Sequence, residues 1–104
     1  MASQRVTPEH AHGVDPGLKE KSLVRLKRIE GQVRGLQKMV DGERYCADIL
    51  VQIAAVQESL RSVARLQLRN HLENCATAAI RSPDHDRRKA MYDELSDLFA
   101  KLAR

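Results

Sequence analysis

The stretch from Tyr45 to Ile80 constrains the fold most, because it contains no Gly and no Pro and holds both cysteines of the chain. Apolar side chains recur along it at three- and four-residue steps, which predicts one long amphipathic helix from about Glu43 to Arg81. On such a helix Cys46 and Cys75 lie about 43 Å apart along the axis, at ~1.5 Å per residue. Two thiols at that separation cannot meet within one chain.

Both cysteines and His71 nevertheless share one face of the predicted helix. At ~100° per residue, Cys75 falls roughly 20° from Cys46 around the axis, and His71 falls roughly 20° to the other side. A second, antiparallel copy of the helix brings Cys46 of one chain beside His71 and Cys75 of the other. The two-fold axis then lies near Ser59 and Leu60, close to the middle of the helix. We therefore predict an antiparallel dimer with two symmetry-related sites, although most of this apolar face is plain hydrophobic core.

Two shorter helices are predicted around the long one. An apolar stripe begins at about Leu18, and Asp41-Gly42 is a stop signal in which Gly42 is able to take the left-handed cap conformation. After the long helix, Ser82 is a plausible N-cap, with Pro83 at the first helical position of a short third helix. The chain is predicted to be all-α, with three helices per protomer. Residues 1–17 are predicted to be a flexible tail and residues 18–104 the helical domain.

The composition favours an assembly over a self-contained monomer. The 104 residues include one Phe, two Tyr and no Trp, so bulky core side chains are few. No apolar run reaches the ~20 residues of a membrane span, and the N-terminus lacks a signal-peptide core. We therefore expect a cytoplasmic protein without a membrane partner. Reduced thiols there indicate metal ligands, redox-active groups or small buried residues.

The formal net charge of +4 is unevenly distributed along the chain. The segment from Lys19 to Arg44 carries the whole excess, in a basic stripe that can attract phosphate or can simply be a solvated helix face. No paired carboxylates, Gly-rich phosphate loop or activated nucleophile is present, so an enzyme is not expected. The stripe comprises Lys19, Lys21, Arg25, Lys27, Arg28, Arg34, Lys38 and Arg44.

The chemistry of the three candidate ligands favours a soft metal. Two thiolates and one imidazole, from Cys46, His71 and Cys75, suit three-coordinate Cu(I), whereas a structural zinc site normally has a fourth ligand. A fourth donor from the tail, His10 or His12, would shift the preference towards a harder divalent ion.

The segment RLKRIEGQVRGL (Arg25–Leu36) and the Cys46, His71, Cys75 spacing resemble the CsoR family of copper-sensing operon repressors. The resemblance covers roughly Leu18 to Leu102. It implies an all-helical dimer of dimers without a helix-turn-helix, in which the antiparallel dimer forms a four-helix bundle core. It also implies that the homotetramer binds double-stranded operator DNA and releases it on Cu(I) binding, which derepresses copper-resistance genes.

The resemblance also suggests roles for further residues. Tyr45 and Glu94 match positions that surround the metal ligands, although the match of Glu94 depends on an inserted stretch before it. Arg25 matches a DNA-contact position and Arg65 a basic position on the long helix. With the basic stripe, the predicted DNA-binding residues are Arg25, Lys27, Arg28, Arg34 and Arg65.

Three other functions stay open from the sequence. The nickel- and cobalt-sensing branch of the family has a His-Cys-His-His pattern of ligands. This chain has Cys75 at the last of these positions and does not fit the pattern there. A persulfide or thiol-redox sensor would use Cys46 and Cys75 without His71. A copper carrier or a purely structural helical assembly would not need the basic stripe.

Overall fold

All of the regular secondary structure in the described part of the chain is helical. A computed structural model describes residues 13–103, and His10 and His12 of the predicted tail lie outside this part. The elements are α1 (Leu18–Asp41), α2 (Cys46–Asn70), a π-helical segment (His71–Ala76), α3 (Thr77–Ile80) and α4 (His85–Leu102). No strand occurs among residues 13–103, so the predicted all-α class is confirmed. None of the helices in this range has both the length and the apolar character that a membrane-spanning segment needs.

Residues 15–69 form one compact unit, which is a hairpin of α1 and α2. Ile29 of α1 packs with Val56 and Val63 of α2 in a small apolar cluster. Gln67 Nε2 donates to the buried Ser22 Oγ at 3.0 Å. Because the start of α1 contacts the end of α2, the two helices run antiparallel.

The turn between α1 and α2 is closed by a Schellman motif. Glu43 N donates to Val40 O at 3.1 Å, and Arg44 N donates to Met39 O at 2.9 Å. Glu43 takes the left-handed conformation with φ 51°, whereas Gly42 has φ −83°. The prediction that Gly42 is the left-handed residue is therefore wrong by one position. A non-glycine residue at positive φ carries backbone strain at this turn.

The apolar faces of α1 and α2 are only partly covered within one chain. None of the large side chains among residues 13–103 is completely buried. Contiguous exposed apolar surface is uncommon on monomeric proteins and marks a site of association. The exposed large apolar side chains of the two helices are Leu23, Val24, Leu26, Val33 and Val40 on α1, and Leu50, Val51, Ile53 and Leu60 on α2.

Residues 13–14 and 70–103 form the second compact unit. The π-helical segment continues into α3, and α4 packs back against α3. Ala76 and Ala79 are only 2% and 4% exposed. Their small side chains allow the backbones of neighbouring elements to approach closely, which fixes α4 beside the end of the long helical run.

Helix α4 begins two residues later than the sequence suggested. Its N-cap is Asp84, whose Oδ1 accepts from Asp86 N at 3.0 Å. Ser82 Oγ instead accepts from Asp84 N at 3.1 Å, within the turn before the helix. The prediction of Ser82 as N-cap is therefore wrong, because an aspartate two residues downstream supplies the capping oxygen.

Candidate metal centre and nucleic-acid interface

His71 and Cys75 both lie in the π-helical segment, which interrupts the regular α-helix. Thr77 N donates to Leu72 O, five residues back, and Thr77 Oγ1 donates to the same oxygen at 2.7 Å. In a π-helix a turn takes more residues than the 3.6 of an α-helix. The prediction of one uniform α-helix is therefore wrong here, and the angle calculated for Cys75 does not hold. Since π-helical turns need more than four residues, side chains four apart still project from a similar side.

The imidazole of His71 lies against a carboxylate from α4. His71 Nε2 is 2.7 Å from Glu94 Oε2, and the two side chains are 26% and 28% exposed. The Nε2 atom is buried but makes no hydrogen bond of good alignment among the described residues. Metal-binding histidines commonly direct the nitrogen that is not a ligand towards a carboxylate. This arrangement fits a His71 that binds a metal through Nδ1.

Two asparagines connect the π-helical segment to the start of the described chain. Asn70 is 4% exposed, and its Nδ2 donates to Gly13 O at 2.9 Å. Asn74 Nδ2 donates to Asn70 Oδ1, also at 2.9 Å. Buried amide groups need such partners, since an unpaired one costs about 1–3 kcal/mol. The bonds fix the backbone of Gly13 beside the residue that precedes Cys75.

The two cysteines differ in their surroundings. Cys75 is partly buried in the π-helical segment, whereas Cys46 is exposed at the first position of α2, and both are free thiols. Tyr45 directly precedes Cys46 and has an exposed side chain. Within residues 13–103 of one chain, no three His, Cys, Asp or Glu side chains converge on a possible metal position. That Cys46 joins His71 and Cys75 across two chains therefore stays a prediction.

Three of the predicted DNA-binding residues surround one groove between α1 and α2. This groove has a volume of about 390 Å³ and is lined by Arg25, Arg28 and Arg65. Arg25 Nη1 contacts Ser62 Oγ on its wall. Lys27 and Arg34 instead line a separate, mainly apolar groove along α1. We call the first groove the arginine groove; guanidinium groups are side chains that can bind phosphate.

Sequence reasoning missed two polar residues of the arginine groove. Glu58 carries the one acidic side chain among the described lining residues, and it pairs with Arg65 Nη2 at 3.3 Å. Gln32 Oε1 is buried and has no hydrogen-bond partner in the described part of the chain. The spacing of Glu58, Arg61 and Arg65 on one helix was the available signal for the ion pair.

Known proteins match this chain over most of its length. A family model described as a metal-sensitive transcriptional repressor matches residues 18–101. The copper-sensing transcriptional repressor CsoR of Bacillus subtilis strain 168 is 49% identical over 88 residues, which cover 83% of this chain and 84% of the relative. The copper-sensing transcriptional repressor RicR of Mycobacterium tuberculosis H37Rv is 43% identical over 96 residues, which cover 90% and 96%.

A solved structure gives the same result for the fold. The crystal structure of the copper-sensing repressor CsoR with Cu(I) from Geobacillus thermodenitrificans NG80-2 superposes with a TM-score of 0.76 at 41% identity. The match covers 93% of this chain and all of the other. The extent and identity of these matches show that the chain belongs to the family of metal-sensitive transcriptional repressors.

Proposed function

We propose that the chain is a Cu(I)-responsive repressor that binds operator DNA without metal and releases it when Cu(I) binds. The observation that carries this proposal is the contact of Glu94 with Nε2 of His71. His71 lies four residues before Cys75 in the chain. The family is one of transcriptional repressors, so the prediction that the chain is not an enzyme is confirmed. The named relatives sense copper, which favours Cu(I) over the nickel, cobalt and persulfide alternatives.

The proposed ligands are Cys46 of one chain with His71 and Cys75 of a second chain. Cu(I) prefers soft thiolate ligands and tolerates the low coordination number of this set. Glu94 orients the imidazole of His71 through Nε2. Tyr45, next to Cys46, is proposed to contribute to the surroundings of the metal from the other chain.

The assembly that this site requires also covers the exposed apolar surface. An antiparallel dimer with a four-helix core, and then a dimer of dimers, buries side chains of α1 and α2 that one chain leaves exposed. Burial of apolar surface contributes about 25 cal/mol per Å². Residues 18–104 are proposed to be the sensing and DNA-binding domain of this homotetramer, and the proposed location is the cytoplasm.

DNA binding is assigned to the arginine groove and the basic residues beside it. Arg25, Arg28 and Arg65 line the groove and are proposed to contact phosphates, with Lys27 and Arg34 nearby on α1. Cu(I) lowers operator affinity only if it binds the DNA-free conformation more tightly. By linkage, operator DNA weakens Cu(I) binding by the same factor.

The test is an anaerobic fluorescence-anisotropy titration on a duplex covering the region upstream of the chain's own gene. Cu(I), Ni(II), Zn(II) and a persulfide donor are added separately to the complex. We expect release by Cu(I) alone. The variant His71→Ala should bind the duplex normally but keep it bound in Cu(I), whereas His85→Ala, at an exposed histidine of α4, should respond like the wild type. Release by persulfide and not by Cu(I), or a His71→Ala protein that still responds, contradicts the proposal.

A further inference from the structure

Glu58 places a negative charge in the arginine groove, beside Arg65, one of the residues proposed to bind DNA. Its Oε2 lies 3.3 Å from Arg65 Nη2, and its Oε1 lies 3.4 Å from Arg61 Nη1. One carboxylate is thus shared between two arginines of α2. A phosphate that binds Arg65 would therefore compete with this carboxylate.

The ion pairs of Glu58 contribute little to the fold. The side chains of Glu58, Arg61 and Arg65 are 62%, 54% and 65% exposed. Exposed pairs of this kind have small stabilising effects, because solvent screens the charges and the long side chains lose conformational freedom. Their effect on an incoming phosphate is larger, since DNA concentrates negative charge along its surface.

We propose that Glu58 is an internal competitor of DNA phosphate that lowers the operator affinity of the metal-free protein. This inference rests on the proposed DNA-binding function and adds a residue that tunes it. In the DNA-free protein Glu58 occupies the guanidinium of Arg65. In the complex Arg65 turns to phosphate and Glu58 keeps its contact with Arg61, so the carboxylate does not lose every partner.

Such a competitor suits a repressor that a ligand must remove. An effector usually changes the affinity of a second site by a factor of only about 5 to 150. An operator complex that is too tight would remain bound even when the metal site is filled. Lowering the affinity of the metal-free protein brings the equilibrium within the range that Cu(I) can shift.

The variant Glu58→Gln tests this inference, because it removes the charge while it keeps the size and polarity of the side chain. In the metal-free protein we expect affinity for both the upstream duplex and a mixed-sequence duplex to rise about threefold to tenfold at ~0.1 M salt. The dependence of log affinity on log salt should steepen by about one per protomer contacting DNA. The Cu(I) affinity of the DNA-free protein should stay unchanged.

Asp93→Asn is the matched control, because Asp93 also pairs with a basic side chain on its own helix, Lys89 at 3.1 Å, but does not line the groove. If Asp93→Asn raised the affinity for DNA as much as Glu58→Gln does, the gain would come from the net charge of the protein alone, and the inference would be overturned. An unchanged affinity in Glu58→Gln would overturn it as well. In an Arg65→Ala background the gain from Glu58→Gln should largely disappear, which a double-mutant cycle measures; a gain that persists in full also overturns it.

Failure of this inference can be distinguished from failure of the proposed function. The wild type is titrated in parallel with and without Cu(I). A wild type that binds the duplex and keeps it in Cu(I) contradicts the proposed function, while the metal-free comparison with Glu58→Gln still decides the role of Glu58.

Discussion

The two compact units of this protein hold their functional side chains in different ways. In residues 70–103, short contacts support the segment that carries two of the three candidate metal ligands, His71 and Cys75. His71 Nε2 lies 2.7 Å from Glu94 Oε2, and Asn74 donates to Asn70 at 2.9 Å. In residues 15–69, a regular helical hairpin carries exposed arginines, whose pairs with Glu58 are longer, at 3.3–3.4 Å. Metal coordination requires ligands in fixed positions, whereas phosphate attraction depends chiefly on charge. Irregular backbone accordingly occurs at His71 and Cys75, whereas Cys46 and the arginines lie on regular helix.

The substitution of a metal ligand should give the largest difference between the effects on Cu(I) affinity and on DNA affinity. Cys75→Ser replaces a soft thiolate by a hard hydroxyl and should lower Cu(I) affinity by more than about 100-fold. Affinity is measured by anaerobic competition with a chromophoric Cu(I) chelator. Metal-free DNA binding should change less than about twofold, because the substitution leaves the charge of the arginine groove unaltered. A similar loss of DNA affinity would show that the two units are not functionally separate.

Glu94→Gln tests whether the metal-binding unit depends on its supporting contacts as well as on its ligands. The substitution removes the negative charge beside His71 Nε2, and Cu(I) affinity should fall about 10- to 100-fold. The same competition assay measures it, with the exposed neighbour Asp93→Asn as the control. An unchanged Cu(I) affinity would mean that the contact only joins α4 to the π-helical segment.

Arg25→Ala makes the reciprocal change in the hairpin unit. We expect operator affinity to fall about tenfold and the salt dependence to decrease by about one phosphate contact per protomer. Cu(I) affinity of the DNA-free protein should stay the same. Arg87→Ala, at an exposed arginine of α4 outside the groove, is the control. Because Arg25 also contacts Ser62, Ser62→Ala separates a structural effect from loss of the phosphate contact.

The smallest effect is expected from the π-helical segment itself. Thr77→Val removes the hydrogen bond from Thr77 Oγ1 to Leu72 O, which is worth about 1 kcal/mol. If this bond holds the segment in its metal-binding geometry, Cu(I) affinity falls by about fivefold, the equivalent of that free energy. Thr77→Ser, which keeps the hydroxyl, should restore it. A loss that Thr77→Ser does not restore would point to packing and not to the hydrogen bond.

The sequence predicted the regular parts of this fold better than the irregular ones. Apolar spacing located α1 at Leu18–Asp41 and the extent of the long helical run to within three residues of Cys46–Ile80. The π-helical segment could not be predicted, because a change in backbone hydrogen-bond register leaves no periodic or compositional signal over six residues. The prediction of a helix end was wrong where two neighbouring residues could both serve as the cap. Ser82 and Asp84 are such a pair at the start of α4.

The structure brings the predicted site residues together to different degrees. Family resemblance suggested Glu94, and the structure brings its carboxylate to His71. Arg25, Arg28 and Arg65 were predicted individually from charge and resemblance, but only the antiparallel hairpin gathers them around one groove. The pairing of Cys46 with the other two ligands involves a second chain, so it stays a prediction.

Because the core of one chain is small, the stability of the folded protein should depend on its concentration. Exposed apolar side chains such as Leu23 and Leu50 leave much of the possible burial to association. A chain that completes its core with a partner has a melting temperature that rises with concentration, because mass action couples folding to assembly. If this chain assembles as we propose, dilution would therefore lower its melting temperature. A cell that makes too little of the repressor would lose folded protomers as well as operator occupancy.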